Sequence, residues 1–154
     1  MPGEGQSLAF FGATVTYKVV SADTGGACSL FEYTAPPHFA GPPPHWHKVT
    51  QEVFYVLEGT VTFRLGDLVL KATPGAFVYV PTGVVHSFAN EESSPARILG
   101  FLWPAGFEQY FVELAALAQS EPSWPPKNLS RWEVLRRQYD QYSPDELSTQ
   151  TSYP

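Results

Sequence analysis

The chain has 154 residues, of which 44% are apolar and 15% aromatic, so it can bury one core without disulfides. Only 16% are charged, the formal net charge is −6, and no cluster of Lys and Arg occurs, which excludes a disordered chain and a nucleic-acid-binding protein. No apolar run of about 18 residues and no signal-peptide pattern occurs, so we expect a cytoplasmic protein that does not span a membrane. The lone cysteine, Cys28, is expected to be an inert buried thiol.

Short segments rich in β-branched and aromatic residues follow one another along the first two thirds of the chain, bounded by Gly, Pro and polar turns. The predicted strands are residues 13–20, 27–34, 53–58, 60–65, 68–72, 76–80, 85–90 and 96–103. A loop with five prolines, residues 35–44, separates the second strand from the third. Many short strands at even spacing are typical of a sandwich or a barrel.

The apolar pattern changes its period after Pro104. Apolar residues then recur three or four positions apart, at Phe107, Tyr110, Phe111, Leu114 and Leu117. This spacing predicts an amphipathic helix over residues 105–119 that packs on the barrel instead of forming a ligand site. Residues 1–119 thus comprise the barrel and its first packing helix.

Residues 120–154 are expected to be a helical extension of the same domain. Ser130 and Glu133 resemble a capping box, which predicts a helix over about residues 131–142. The polar tail, residues 143–154, begins with another helix-start pattern, Ser-Pro-Asp-Glu. This tail is either loose or draped over a neighbouring subunit.

Three of the four histidines and one glutamate form a pattern that favours metal binding. His45 and His47 are two positions apart, and such side chains share one face of a strand. Glu52 begins the next predicted strand, and His86 begins a later one. A lone histidine is more often a hydrogen-bonded or solvated side chain, and His38, in the proline-rich loop, is expected to be one. Imidazoles joined by one carboxylate suit a divalent transition metal ion, which could be Ni, Mn, Fe, Co, Cu or Zn.

Two segments resemble the two motifs of the cupin superfamily. Residues 75–90 match the second motif, G-x5-P-x-G-x2-H-x3-N, at every fixed position. The core of the first motif is matched by His45-x-His47-x4-Glu52-x6-Gly59. The segment Pro-Ala-Gly-Phe-Glu-Gln-Tyr-Phe, after the last predicted strand, is similar to small single-domain cupins of the quercetin dioxygenase type.

The resemblance implies an all-β fold, a double-stranded β-helix (the cupin jelly-roll barrel) with C-terminal helices. It also implies one metal ion per chain, a small aromatic substrate and, for a dioxygenase, dioxygen. Small cupins of this kind commonly form homodimers. The chain departs from the first motif at Phe39, where a glycine is expected six residues before His45; Gly41 stands two residues late. The motif therefore does not predict the shape of the proline-rich loop, residues 35–44, which we call the entrance loop.

The fixed residues of the motifs that are not ligands have structural explanations. Gly59 and Gly75 are expected in turns that need permissive backbone angles. Pro81 and Gly83 would shape the corner that brings the last histidine inward. Asn90 is expected to satisfy backbone groups instead of contacting a substrate.

Strand parity places several apolar residues on the same inner face as the expected ligands. These candidate pocket residues are Phe54, Val56, Phe63 and Phe88. They either line a small-molecule site or simply fill the barrel core.

The first functional hypothesis is a metal-dependent dioxygenase that acts on a flavonol or a related phenolic or enol. Glu52 would then be both a metal ligand and the catalytic base. The alternatives are a cupin that binds or senses a small molecule without turnover and another metal-dependent cupin enzyme, such as an isomerase or a decarboxylase.

Overall fold

The computed structural model describes residues 5–123 and 126–147. The strands are β1 (Ser7–Phe10), β2 (Ala13–Val19), β3 (Ser29–Ala35), β4 (Gln51–Glu58), β5 (Val61–Leu65), β6 (Leu68–Ala72), β7 (Phe77–Val80), β8 (His86–Ala89) and β9 (Ala96–Trp103). The helices are α1 (Ser21–Thr24), α2 (Glu108–Ser120) and α3 (Ser130–Gln138), followed by a 3-10 turn at Pro144–Glu146. No helix in the described part of the chain is long and apolar enough to cross a membrane.

The strands form two antiparallel sheets whose inner faces enclose the core. One sheet has the order β1-β2-β3-β9-β4-β7 and the other the order β6-β5-β8. Buried and less buried residues alternate along β2, β3 and β9, because successive side chains of a strand point to opposite faces. This antiparallel jelly-roll barrel with C-terminal helices confirms the predicted fold class. Strand β1 is the one that the sequence pattern did not predict.

The entrance loop is held close to β8 by Gly41. Its backbone has φ +75°, and a Cβ atom there would overlap the carbonyl oxygen of Phe88. Phe39, which stands at the motif's expected glycine, instead forms an isolated bridge with Asn90. The close backbone approach therefore occurs two residues later than in the motif, and the loop still reaches the barrel.

Asn90 has the structural role that its position predicts. Its side chain is fully buried, and Nδ2 donates to the carbonyl oxygens of Pro36 (2.9 Å) and Ser94 (2.8 Å). Its Oδ1 accepts from the backbone N–H of Glu92. These bonds join the entrance loop to the turn after β8.

Cys28 differs from its prediction. A single helical turn, α1, occupies part of the predicted turn after β2, and the Thr24 hydroxyl bonds to the backbone of Cys28. Cys28 lies just before β3 and is only half-buried, so the prediction of a buried thiol within a strand is wrong.

The C-terminal helices also begin and end differently from the prediction. Ser130 is the first residue of α3 and not its cap, because Asn128 Oδ1 accepts a bond from the Ser130 N–H. The helix ends at Gln138, and the chain then turns back toward the barrel. The predicted start at residue 143 is confirmed as a capped 3-10 turn. At Tyr142 and Ser143 the chain contacts Trp46 of its own barrel, and residues 148–154 lie outside the described residues.

Candidate metal centre

Three separate pieces of the chain bring His45, His47, Glu52 and His86 together. The backbones of His45 and His86 form a bridge, with N···O distances of 3.0 and 2.7 Å. Glu52 lies in β4, which pairs with both β7 and β9. The N–H of Gly83 donates to the carbonyl oxygen of His47 (2.8 Å), so the corner before β8 is bound to the segment that carries the first two histidines.

The four side chains form one compact, buried cluster. Each offers one nitrogen or oxygen atom, and these atoms all lie within 4.8 Å of one another. The Oε2 atom of Glu52 is 2.7 Å from His86 Nε2 and 3.5 Å from His47 Nε2. All four residues are at most 5% exposed. His38 lies outside this cluster, on the exposed entrance loop.

Three atoms at the centre of the cluster have no properly aligned hydrogen-bond partner among the described residues. They are His47 Nε2, Glu52 Oε2 and His86 Nε2. A buried polar atom left unpaired costs about 1–3 kcal/mol, so three that converge on one point call for a further partner. Imidazole nitrogens with one carboxylate oxygen are a donor set that divalent transition metals prefer. The residues present therefore fit a metal ion.

The other ring nitrogen of each histidine is bonded to a backbone carbonyl oxygen. The partners are Pro43 O for His45 (2.8 Å), Val84 O for His86 (2.9 Å) and Asp140 O for His47 (2.7 Å). A carbonyl oxygen only accepts, so each Nδ1 must carry the hydrogen. Nε2 is then the atom that each ring turns toward the cluster, which is how a ligating histidine is oriented.

The charges in the cluster depend on burial and on mutual contact. Burial, reinforced by the two neighbouring imidazoles, holds the pKa of His45 well below its ordinary value. Burial opposes ionisation of Glu52, but His47 and His86 outweigh it and hold the pKa of this carboxyl well below its usual range. Burial likewise opposes protonation of His47, but the Glu52 carboxylate outweighs it and raises the pKa of that imidazole. The cluster thus presents an ionised carboxylate to a cation.

His45, Glu52 and His86 also line a cavity of about 820 Å³. Its remaining wall is largely aromatic and proline-rich. Of the candidate pocket residues, Phe54 and Phe88 line this cavity, whereas Val56 and Phe63 are buried in the core behind it. Strand parity identified the inner face of these strands, but it does not give the depth of a side chain along the barrel.

Helix α2 contributes more to the cavity than the sequence predicted. Its residues Tyr110, Phe111 and Leu114, with Phe107 just before the helix, pack on the barrel, as expected, and also line the cavity. Trp132 of α3 and Gln141 complete that side. The sequence carries no distinguishing signal for Gln141, because it is a lone polar residue at the end of the predicted helix over residues 131–142.

Gln141 is the buried amide in this wall. Its Oε1 accepts hydrogen bonds from the Tyr110 hydroxyl (3.1 Å) and from Arg136 Nε (3.0 Å). An arginine only donates, so this contact fixes the orientation of the amide. No described residue accepts a bond from Gln141 Nε2, which leaves that donor for the cavity that Gln141 lines.

Comparison with known proteins finds a family match and a relative for part of the chain. Residues 31–103 match the family described as Cupin domain. Over 70 residues the chain is 36% identical to quercetin 2,3-dioxygenase of Bacillus subtilis (strain 168). This match covers 46% of the present chain but only 20% of that enzyme, so it spans about a fifth of the relative's length. Residues 31–103 therefore match the Cupin domain family, and part of the chain resembles part of a quercetin 2,3-dioxygenase.

Solved structures show the same fold. KdgF from Halomonas sp. superposes with a TM-score of 0.59 at 14% identity, covering 68% of this chain and 90% of that one. An RmlC-like cupin from Shewanella frigidimarina NCIMB 400 gives a TM-score of 0.56 at 16% identity, with coverage of 68% and 88%. At such identities the likeness shows the fold and no shared activity.

Proposed function

We propose that the protein is a metal-dependent dioxygenase that acts on a flavonol or a related phenolic or enol. The observation that carries this proposal is the buried cluster of His45, His47, Glu52 and His86, whose unpartnered atoms converge beside an aromatic cavity. The similarity to a quercetin 2,3-dioxygenase supports the choice of reaction.

One divalent transition metal ion per chain would be held by Nε2 of the three histidines and by a carboxylate oxygen of Glu52. Ni, Mn, Fe, Co, Cu and Zn all suit this donor set. When bound, the ion would supply a Lewis-acid centre and, for every candidate but Zn, a redox centre for dioxygen chemistry. The buried aromatic surroundings would keep bulk water away from it.

The cavity supports a flat aromatic substrate. Its volume of about 820 Å³ lies within the range of about 300–1,000 Å³ that is usual for small-molecule sites. Tyr33, Phe39 and Phe88 form a group of aromatic rings in its wall, with centroids 5.3 and 5.9 Å apart. The Nε2 group of Gln141 would donate to a carbonyl or phenolic oxygen of the substrate and orient it.

Glu52 would be the catalytic base. Its ionised carboxylate accepts the proton of the substrate hydroxyl, and the O–H electron pair stays on the substrate oxygen. The ring system that results is more electron-rich and therefore more reactive toward dioxygen. Both oxygen atoms of dioxygen enter the product of a dioxygenase, so no external reductant is needed.

Oxygen consumption tests the proposal. The protein, loaded in turn with Fe, Mn, Co, Ni or Cu, is mixed with a panel of flavonols, simple phenols and enols. We expect uptake of dioxygen with at least one flavonol-like substrate, and elemental analysis of protein purified without a metal-affinity tag identifies the resident ion. A protein that binds metal but consumes no oxygen with any of these compounds is better described as a binding or sensing cupin.

We also propose that two copies form a homodimer. Exposed aromatic residues cover the outer face of β4, β7 and β9, namely Tyr55, Phe77, Tyr79 and Phe101. Strand β7 stands at the edge of its sheet, so its outer backbone groups are available for pairing. Light scattering at micromolar concentration should return twice the chain mass, and a mass near 17.0 kDa would contradict the proposal.

A further inference from the structure

Residues 139–143, which follow α3, fold back onto residues 45–50, the strip of chain that begins with the first two ligands. Trp46, between the two histidines, exchanges two backbone hydrogen bonds with Tyr142, at 3.0 and 2.9 Å. Their rings stack with centroids 4.9 Å apart, and Trp46 Nε1 donates to the carbonyl oxygen of Ser143. The segment is therefore joined to the ligand-bearing residues at Trp46.

Asp140 is the residue through which this segment reaches a ligand. Its carbonyl oxygen accepts from His47 Nδ1 at 2.7 Å. Its carboxylate accepts from three successive backbone N–H groups, those of Lys48 (3.0 Å), Val49 (2.8 Å) and Thr50 (2.7 Å). One residue thus contacts both the imidazole of His47 and the backbone that leads from His47 toward Glu52.

The backbone of Asp140 is itself held in an uncommon conformation. Its φ is +58°, in the left-handed region, where Asp is tolerated better than most residues. In this conformation the carbonyl group and the side chain of Asp140 both face the strip after His47. The bonds from the three N–H groups to the carboxylate hold Asp140 in that place.

From these contacts we propose that Asp140 is a positioning residue of the metal centre. The Asp140 carboxylate accepts hydrogen bonds from residues 48–50, which holds the Asp140 carbonyl oxygen against Nδ1 of His47. This bond directs Nε2 of the His47 ring into the cluster. The other two histidines need no such help, because each bonds to a carbonyl two residues earlier in the chain. This inference rests on the proposed metal site and adds to it a residue from outside the cupin match at 31–103.

A purely structural role makes a different prediction. If Asp140 only stabilised the fold, its replacement would lower the stability of the metal-free protein but leave the metal affinity of the folded protein unchanged. If Asp140 positions His47, affinity and ligand geometry change as well. Replacing a group that orients a ligating histidine typically weakens metal binding about 10–100-fold.

The experiment compares Co²⁺ binding by the wild type with that of Asp140→Ala, Asp140→Gly and Asp140→Asn. Asp67→Ala is the matched control, because Asp67 is an exposed carboxylate in the turn between β5 and β6 with no partner among the described residues. Affinity is measured by competition with a chelator, and ligand geometry by the visible spectrum of bound Co²⁺. Circular dichroism and thermal unfolding of the metal-free proteins report the fold.

We expect Asp140→Ala and Asp140→Gly to bind Co²⁺ about 10–100-fold more weakly, with an altered spectrum. Asp140→Asn keeps an acceptor oxygen, so its Co²⁺ affinity should be closer to that of the wild type. The Co²⁺ affinity of Asp67→Ala should equal that of the wild type. Glycine adopts the left-handed conformation freely, so Asp140→Gly decides the question if the alanine variant does not fold.

Folded variants that bind Co²⁺ as tightly as the wild type, with the same spectrum, would overturn the inference alone. Loss of folding in all three variants would also overturn it, since Asp140 would then be a residue of the fold. A wild-type protein that binds no Co²⁺ would instead overturn the metal site, and the inference with it.

Discussion

The histidines of the cluster are held in two different ways. Nδ1 of His45 and Nδ1 of His86 each bond to a carbonyl oxygen only two residues earlier, at 2.8 and 2.9 Å. Nδ1 of His47 bonds to a carbonyl oxygen 93 residues away in the chain. The first arrangement arises with the loop that carries the histidine. The second exists only after the C-terminal segment has packed on the barrel, so the site combines two locally oriented rings with one that depends on distant sequence.

Removing a locally held ring should have the largest effect. We expect His45→Ala and His86→Ala to lose bound metal and activity together, because each removes one of four ligands from a buried cluster and leaves its neighbours unpaired. Elemental analysis after reconstitution measures the loss. His38→Ala is the control for metal content only, since His38 lies outside the cluster but lines the cavity. Full metal content in either ligand variant would contradict the assignment.

Glu52→Gln should separate holding the metal from doing the chemistry. The three imidazoles can retain a substantial fraction of the bound metal, but the amide of Gln cannot act as the base that accepts the substrate proton. We expect turnover to fall at least about 100-fold, as is typical when a general base is lost. Metal content and oxygen consumption are measured on the same preparation. A parallel fall in both would show that Glu52 is a ligand and nothing more.

The loops that orient the locally held rings depend on glycines of unequal importance. Gly41→Ala should destabilise the protein by at least about 3 kcal/mol, because the new Cβ would overlap the Phe88 carbonyl and φ is positive. Gly83→Ala, with positive φ but no atom within 4 Å, should cost only about 1–2 kcal/mol. Urea unfolding of the metal-free proteins compares them. Equal losses of unfolding free energy would mean that the positive φ, and not the overlap with Phe88, sets the cost of both substitutions.

The smallest effect is expected in the cavity wall that the C-terminal segment supplies. Gln141→Glu keeps an acceptor oxygen for Tyr110 and Arg136 but removes the Nε2 donor. It should raise the KM for quercetin about 2–10-fold with little change in kcat, as expected for a hydrogen bond worth about 0.5–1.5 kcal/mol. Gln119→Glu is the control, because Gln119 is an exposed residue of α2 outside the cavity. A change confined to kcat would show that Gln141 acts in the reaction step instead.

Some predictions differ from the structure because two nearby residues compete to cap a helix, or because strand parity does not give the depth of a side chain in the barrel. Ser130 and Glu133 fit a capping box, yet the side chain of Asn128 bonds to the Ser130 N–H and the helix begins one residue earlier. Val56 and Phe63 lie on the expected inner face but sit behind the cavity and not in its wall. Strand β1 has four residues, too few for alternation to stand out.

The sequence by itself determined the barrel and its candidate ligands. Short strands ended by Gly and Pro indicate a sandwich or a barrel, and the resemblance to the cupin motifs implies a jelly-roll. Two side chains on one face of an extended segment lie close together whatever the rest of the chain does. His45 and His86 even have their orienting carbonyls within two residues.

Only the tertiary structure decided how His47 is oriented and how the cavity is closed. Asp140 and Gln141 are polar residues in a polar segment, with no periodicity or motif to mark them. Their roles come from contacts across 93 and 31 residues, with His47 and Tyr110. Such contacts form when apolar faces of distant elements are buried together, and a local pattern carries no information about which polar groups that burial brings into contact.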